Sequence, residues 1–218
     1  MCNNSMTITY DDVKKAQETQ SKIIRKTSLE FSETFSKICG AKVFLKNEYE
    51  QKTGSFKIRG AYYKIKSLTD EQKNKGVVAA SAGNHSQGVA FASNIENIPC
   101  TIVMPRTASP AKVAATKSYG AKVVLEGSTY DESWDHAQKI STDTNATVIH
   151  AFDDSNVIAG QGVIGLEIME ELPDVDEIYV PIGGGGLVAG IITAVKEKHP
   201  HVKIIGVESS AYPAMKKS

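Results

Sequence analysis

From residue 76 onward, short runs of β-branched and aliphatic residues alternate with segments whose apolar positions recur at helical spacing. Gly76–Ala80, Thr101–Met104, Lys122–Leu125 and Thr147–His150 are four such runs. Runs that are apolar on both faces suit the buried strands of a parallel sheet. Helices are predicted between them over His85–Glu96, Pro110–Tyr119 and Tyr130–Ser141. Ser109 before Pro110 supplies a start signal, with serine as cap and proline at the first helical position, and Gly120 supplies a stop. Four strands with three intervening helices make a small parallel α/β unit.

A second set of the same kind flanks the first. Lys42–Lys46 reads as a strand ahead of a helix that begins near Lys57. Ser155–Glu171 is a long helix with Val157, Ile158, Val163, Ile164, Leu166 and Ile168 as its apolar positions. Glu177–Ile182 and Lys203–Val207 are strands joined by a helix over Leu187–Lys198. The simplest architecture is α/β with two parallel-sheet domains: a large one from residues 1–72 and 149–218, and a small one from residues 73–148 inserted into it. After Glu208 only Ser209–Ser218 remain, and a sheet closing on a bare edge strand would expose unpaired backbone groups. The chain therefore reads as an N-terminal portion of a longer protein, its large domain incomplete.

Composition narrows the function classes. A 41% hydrophobic content over 218 residues is enough for a packed core. Lys plus Arg and Asp plus Glu are both 25, a balance that argues against binding nucleic acid by phosphate neutralisation. Cys2, Cys39 and Cys100 form no CxxC pair and no metal spacing, and Cys100 sits in an apolar strand. The start of the chain has no apolar signal core, and Leu187–Val195 falls short of the roughly 18 apolar residues that suggest a membrane span. A cytoplasmic protein without membrane partners is expected.

Three segments carry candidate chemistry. The first is Lys52-Thr53-Gly54-Ser55-Phe56-Lys57-Ile58-Arg59-Gly60-Ala61, with a lysine at the start of a helix beside an aromatic residue. Partly desolvated, such an amine loses charge more readily and can act as a Schiff-base nucleophile. The plain alternative is a surface helix capped by Ser55, with Lys57 and Arg59 facing water. The second is Ser81-Ala82-Gly83-Asn84-His85-Ser86-Gln87-Gly88, between a strand and a helix, where ligands bind in open α/β sheets. Its plain alternative is an ordinary turn with Asn84 capping its own backbone. The third is Gly183-Gly184-Gly185-Gly186-Leu187, which places bare amides at a helix N-terminus and so favours a phosphate. Here the rival is dinucleotide binding: Gly184, Gly186 and Ala189 satisfy G-x-G-x-x-A, and Glu208 ends the next strand. That rival leaves the lysine and asparagine segments unexplained.

Lysine, asparagine loop and glycine loop, in that order, resemble the fold-type II pyridoxal-phosphate enzymes, of tryptophan synthase β-subunit-like architecture. Within them the resemblance is to the threonine dehydratase/serine racemase branch, and it runs from about Ile8 to the end of the chain. It implies pyridoxal 5'-phosphate as cofactor, with Lys57 as its covalent attachment point and, once displaced by substrate, the general base. Phe56 would pack against the cofactor ring, Asn84 would hydrogen-bond its phenolic oxygen, and Gly183, Gly184, Gly185, Gly186 and Leu187 would hold its phosphate. Ser81, Asn84 and His85 would meet the substrate carboxylate. The implied reaction is loss of the Cα proton and then of the β-hydroxyl, turning L-threonine or L-serine into a 2-oxo acid and ammonia.

Serine racemases of the animal type carry a serine where this chain has Ala82, and a carboxylate near the position of Glu208 that Ser209–Ala214 do not supply. Both departures favour the dehydratase and disfavour a metal site. The resemblance further implies a homo-oligomer, a nucleotide effector near Lys52, Thr53 and Gln87, and a partner for the pyridine nitrogen beyond Ser218. A reading from another class also stays open: a non-catalytic pyridoxal-phosphate or nucleotide binder serving as a partner subunit.

Overall fold

Val77–Ala80 (β3), Cys100–Met104 (β4), Lys122–Leu125 (β5) and Thr147–Val148 (β6) pair in parallel, in the order β5-β4-β3-β6. The computed structural model describes residues 8–211 and 213–217; Cys2 and Ser218 lie outside them. β3 is buried at every position, as expected of a central strand without a solvent face. The connecting helices Asn84–Ile95 (α5), Pro110–Ser118 (α6) and Tyr130–Thr144 (α7) fall where the sequence predicts them, within a few residues. At the start of α6, Pro110 takes the first position, but the Ser109 side chain makes no capping bond.

The second parallel set is smaller than expected. Glu177–Pro181 (β7) and Lys203–Val207 (β8) pair in parallel around Gly186–Lys196 (α9). The run at 42–46 does not join them. Only Phe44–Lys46 (β2) is strand, and it pairs antiparallel with Leu29–Phe31 (β1). The intervening segment explains this. The short helix Glu33–Cys39 (α2) is capped by Ser32 and stopped by Gly40 at φ 67°, which turns the chain straight back, and an antiparallel pair needs no longer connection. Neither α2 nor the helices Tyr10–Gln20 (α1) and Asp70–Lys75 (α4) was anticipated, though Thr9 and Thr69 each close a capping box.

Lys57–Lys66 (α3) lies between α5 and Ser155–Glu171 (α8). Two close approaches allow this. A Cβ on Gly88 of α5 would stand 3.1 Å from the backbone of Lys57 and Ile58. One on Gly160 of α8 would stand 2.7 Å from the Cα of Gly60. Gly160 leaves no room for a side chain against α3, and Gly88 leaves only a tight fit. Ile58, Ala61, Tyr62 and Ile65 then share a core with Val77, Ala79, Val89 and Ile102. Burying Ile58 or Ile65 contributes about 1.5–3 kcal/mol each. A second core joins α1, α8 and α9 through Val13, Val163, Ile191 and Val195. No helix among the described residues is long and apolar enough to cross a membrane.

Candidate active site

Three loops leave the C-terminal ends of parallel strands: residues 81–84 after β3, 149–154 after β6 and 182–185 after β7. The second of them touches Lys57 through Ala151, His85 at the start of α5 through Ile149, and Gly184 through Phe152. Lys57, the first residue of α3, is half-buried, and its Nζ donates to the Ala151 carbonyl at 2.8 Å. It also lies 5.4 Å from the centroid of the Phe56 ring. No carboxylate pairs with it among the described residues, and burial alone lowers its pKa below the ordinary lysine value. Neighbouring lysines differ. Lys64 pairs with Asp154 at 2.7 Å, and Lys46 with Glu167 at 2.8 Å.

Arg59 is the opposite of a surface residue. It is 1% exposed and forked twice, onto Glu167 at 2.7 and 2.8 Å and onto Glu48 at 2.8 and 2.7 Å. Burial works against its charge, but the hydrogen bonds and attraction of Glu48 and Glu167 outweigh it and hold its pKa above the usual value. The guanidinium therefore ties the first turn of α3 to α8 and to the 3-10 turn Glu48–Glu50. Ser55 caps nothing; its hydroxyl is buried and has no hydrogen-bond partner among the described residues.

In the asparagine loop, the Ser81 hydroxyl accepts from the Gly83 N–H at 3.2 Å. Asn84 opens α5, is exposed, and its Oδ1 accepts from Lys112 Nζ at 3.1 Å instead of capping its own backbone. His85 turns inward. Its ring is buried, and Nε2–H donates to the Ile149 carbonyl at 2.9 Å. Burial is the main cause lowering its pKa to about 4. The ring is neutral at physiological pH and ties the asparagine loop to the exit of β6, while Nδ1 has no partner among the described residues.

The glycine loop presents Gly183 and Gly184 to solvent, turns at Gly185 with φ 86°, and enters the 11-residue α9 at Gly186. Leu187 is half-buried against the core between α8 and α9. The glycines do not all serve the same need. A Cβ on Gly184 would run into the Phe152 ring, and one on Gly186 would stand 2.7 Å from the Phe152 carbonyl oxygen. A Cβ on Gly183 would meet none of the described residues within 4 Å. Gly184 and Gly186 are thus required by packing on Phe152, and Gly183 leaves open space before the helix amides. Gly184→Val is therefore expected to lower the melting temperature of the cofactor-free protein, because it displaces Phe152. Gly183→Ala is expected to leave melting unchanged and to weaken pyridoxal-phosphate affinity several-fold. Equal affinities for wild type and Gly183→Ala in an absorbance titration would remove Gly183 from the phosphate site. A desolvated amine, an aromatic face and the backbone amides at the start of α9 make a donor set that fits pyridoxal phosphate.

Residues 20–218 match the model of a family described as pyridoxal-phosphate dependent enzyme. The chain belongs to that family. It is 52% identical over 208 residues to an L-threonine ammonia-lyase of Thermotoga maritima, covering 95% of this chain and 52% of that protein. The processed form of threonine deaminase isoform 2 from Solanum lycopersicum superimposes with TM-score 0.86 at 40% identity, covering 94% of this chain and 58% of that one. Maize serine racemase superimposes with TM-score 0.89 at 37% identity, covering 92% and 61%. The chain spans about half the length of the first of these relatives.

Family membership disposes of the dinucleotide reading, and the structure shows how Glu208 is used. Its carboxylate accepts from the Met215 and Lys216 N–H groups at 2.8 and 3.0 Å, capping the short C-terminal helix Ala214–Lys217 (α10). Of the three residues expected near a nucleotide effector, Lys52 is exposed, with Nζ 5.6 Å from the Phe91 ring centroid, whereas Thr53 and Gln87 are buried. The sequence reading missed the segment His150-Ala151-Phe152, which touches both the lysine and the glycine loop. The signal was available. This segment follows a parallel strand and precedes a helix, as the asparagine and glycine loops do.

Proposed function

We propose that this chain forms the lysine-bearing part of a pyridoxal-phosphate-dependent L-threonine/L-serine dehydratase, with Lys57 as the cofactor's attachment point. The observation that carries the reading is a half-buried amine, paired with no carboxylate among the described residues and hydrogen-bonded to the strand-exit loop that also packs on the glycine loop. The name L-threonine ammonia-lyase on a relative 52% identical supports the choice of reaction. Bound there, pyridoxal phosphate supplies an electron sink for the pair left when the substrate Cα proton departs.

The protein's own residues do the rest. Burial lowers the Lys57 pKa and so favours the neutral amine, the form that can attack a carbonyl and later take a proton. Asn84 orients the ring from the open end of α5, and the amides at Gly183–Leu187 neutralise phosphate charge. Ser81, Asn84 and the loop amides meet the substrate carboxylate. The inward-turned His85 ring holds the loop in place and carries no charge to offer.

Borohydride reduction of the holoenzyme followed by peptide mapping tests the assignment. Label at Lys57 is expected; label at Lys52 or Lys64 would sink it. Turnover of L-threonine to 2-oxobutanoate and of L-serine to pyruvate, each with ammonia, tests the reaction.

Racemisation is the second reading, favoured by the likeness to maize serine racemase. It needs an acid on the face of Cα opposite the lysine, and Ala82 has no proton to give. Ala82→Ser is expected to raise the ratio of D-serine to pyruvate formed from L-serine modestly, since a hydroxyl also needs the right distance and orientation. A wild type that makes D-serine as readily as pyruvate would overturn the dehydratase assignment.

A further inference from the structure

The segment that joins β6 to α8 contacts every part of the candidate site. The Ile149 carbonyl accepts from His85 Nε2 at 2.9 Å, and the Ala151 carbonyl accepts from Lys57 Nζ at 2.8 Å. The Phe152 ring and carbonyl fill the space that Cβ atoms on Gly184 and Gly186 would take. Asp154 caps α8 through the Asn156 and Val157 N–H groups at 2.9 and 3.1 Å, and pairs with Lys64 at 2.7 Å. The course of four residues thus sets where the lysine amine, the asparagine loop and the glycine loop stand relative to one another.

One side chain holds that course. His150 Nδ1 accepts from the backbone N–H of Asp153 at 2.7 Å and of Phe152 at 3.3 Å, closing a turn around the Ala151 carbonyl. Both donors are backbone N–H groups, so Nδ1 must carry the lone pair and Nε2 the hydrogen. The ring is held on both sides by edge-on aromatic contacts, with Trp134 of α7 at 5.1 Å between centroids and with Phe152 at 4.7 Å. An imidazole fixed by two rings, with its acceptor aimed into the turn, is placed to define the backbone there.

We propose that His150 is a positioning residue for the cofactor site: through Nδ1 it fixes the 150–153 turn, and through that turn the Lys57 amine and the Phe152 buttress under the glycine loop. The proposal rests on the reading of Lys57 as the residue that bears the cofactor. Among the described residues His150 hydrogen-bonds neither the amine nor the glycines; it acts through Ala151 and Phe152.

Asparagine and glutamine separate this role from simple packing. Asn carries its amide oxygen about where imidazole Nδ1 lies, whereas Gln carries its polar end where Nε2 lies. In the full-length protein, His150→Gln is expected to weaken pyridoxal-phosphate affinity about tenfold, the loss of two modest hydrogen bonds. It should also lower kcat more than it raises KM for L-threonine. His150→Asn is expected to restore affinity to within about threefold of wild type on the same reasoning. Asn and Gln variants with equal affinity, whether both intact or both weakened, would overturn the role of Nδ1. Should His150→Gln fail to fold, amide hydrogen exchange in wild type and His150→Asn decides. Slow exchange at Asp153 in both supports the capped turn, and fast exchange in wild type overturns it. Reductive mapping on the same samples keeps the two readings apart. Label at a lysine other than Lys57 defeats the functional reading, whereas label at Lys57 with equal affinities defeats the role of His150 alone.

Discussion

Replacing Lys57 with alanine is expected to reduce turnover of L-threonine by several orders of magnitude, because nucleophile and proton acceptor vanish together. The fold should survive the change. Lys57 makes one hydrogen bond, to the Ala151 carbonyl, and no ion pair among the described residues, so its removal leaves no buried charge without a partner. Circular dichroism and melting should match wild type, and a small exogenous amine should recover part of the activity by supplying a base. An alanine variant retaining a tenth of wild-type turnover would rule out Lys57 as attachment point and base. The pH dependence of Lys57 acylation in the cofactor-free protein gives an independent check. Burial lowers its pKa, so labelling should set in at lower pH than for a free lysine side chain in a model peptide.

Arg59→Met should have the largest effect on stability. Its guanidinium is forked onto two carboxylates, and Lys46 at 2.8 Å remains to compensate only Glu167. Glu48 keeps the Thr27 hydroxyl at 2.7 Å but loses its only cation among these contacts. Removing one member of a buried ionic cluster costs about 3–5 kcal/mol, and the surviving Lys46 puts the expected loss near the lower end. Urea unfolding of wild type and variant measures this directly. A loss under about 1 kcal/mol would mean that the network is no stronger than a surface pair. Arg59 lies two residues beyond Lys57 and anchors the same helical turn to α8, so cofactor affinity should fall along with stability.

The parallel α/β unit, the long helix over 155–171 and the three candidate segments could be read in the chain itself, because their signals are local. Runs apolar on both faces announce buried parallel strands. Glycines before a helix announce an open amide site, and a lysine beside an aromatic residue at a helix start announces a candidate nucleophile. Local patterns also limited what could be read. The run at 42–46 reads as a strand like the others, and only the tight return through Gly40 makes its strand antiparallel. Arg59 reads like any exposed arginine until Glu48 and the sequence-distant Glu167 close on it. His85 reads like a loop histidine until the β6 exit brings the Ile149 carbonyl to its ring. Gly184 reads as room for a ligand, but Phe152 already occupies that room. For Glu167, Ile149 and Phe152 the deciding partner is distant along the chain, and burial changes what a charged or polar group must do to remain satisfied. The sequence determined which residues can do the chemistry; the tertiary structure decided which of them face the site and which hold it in shape.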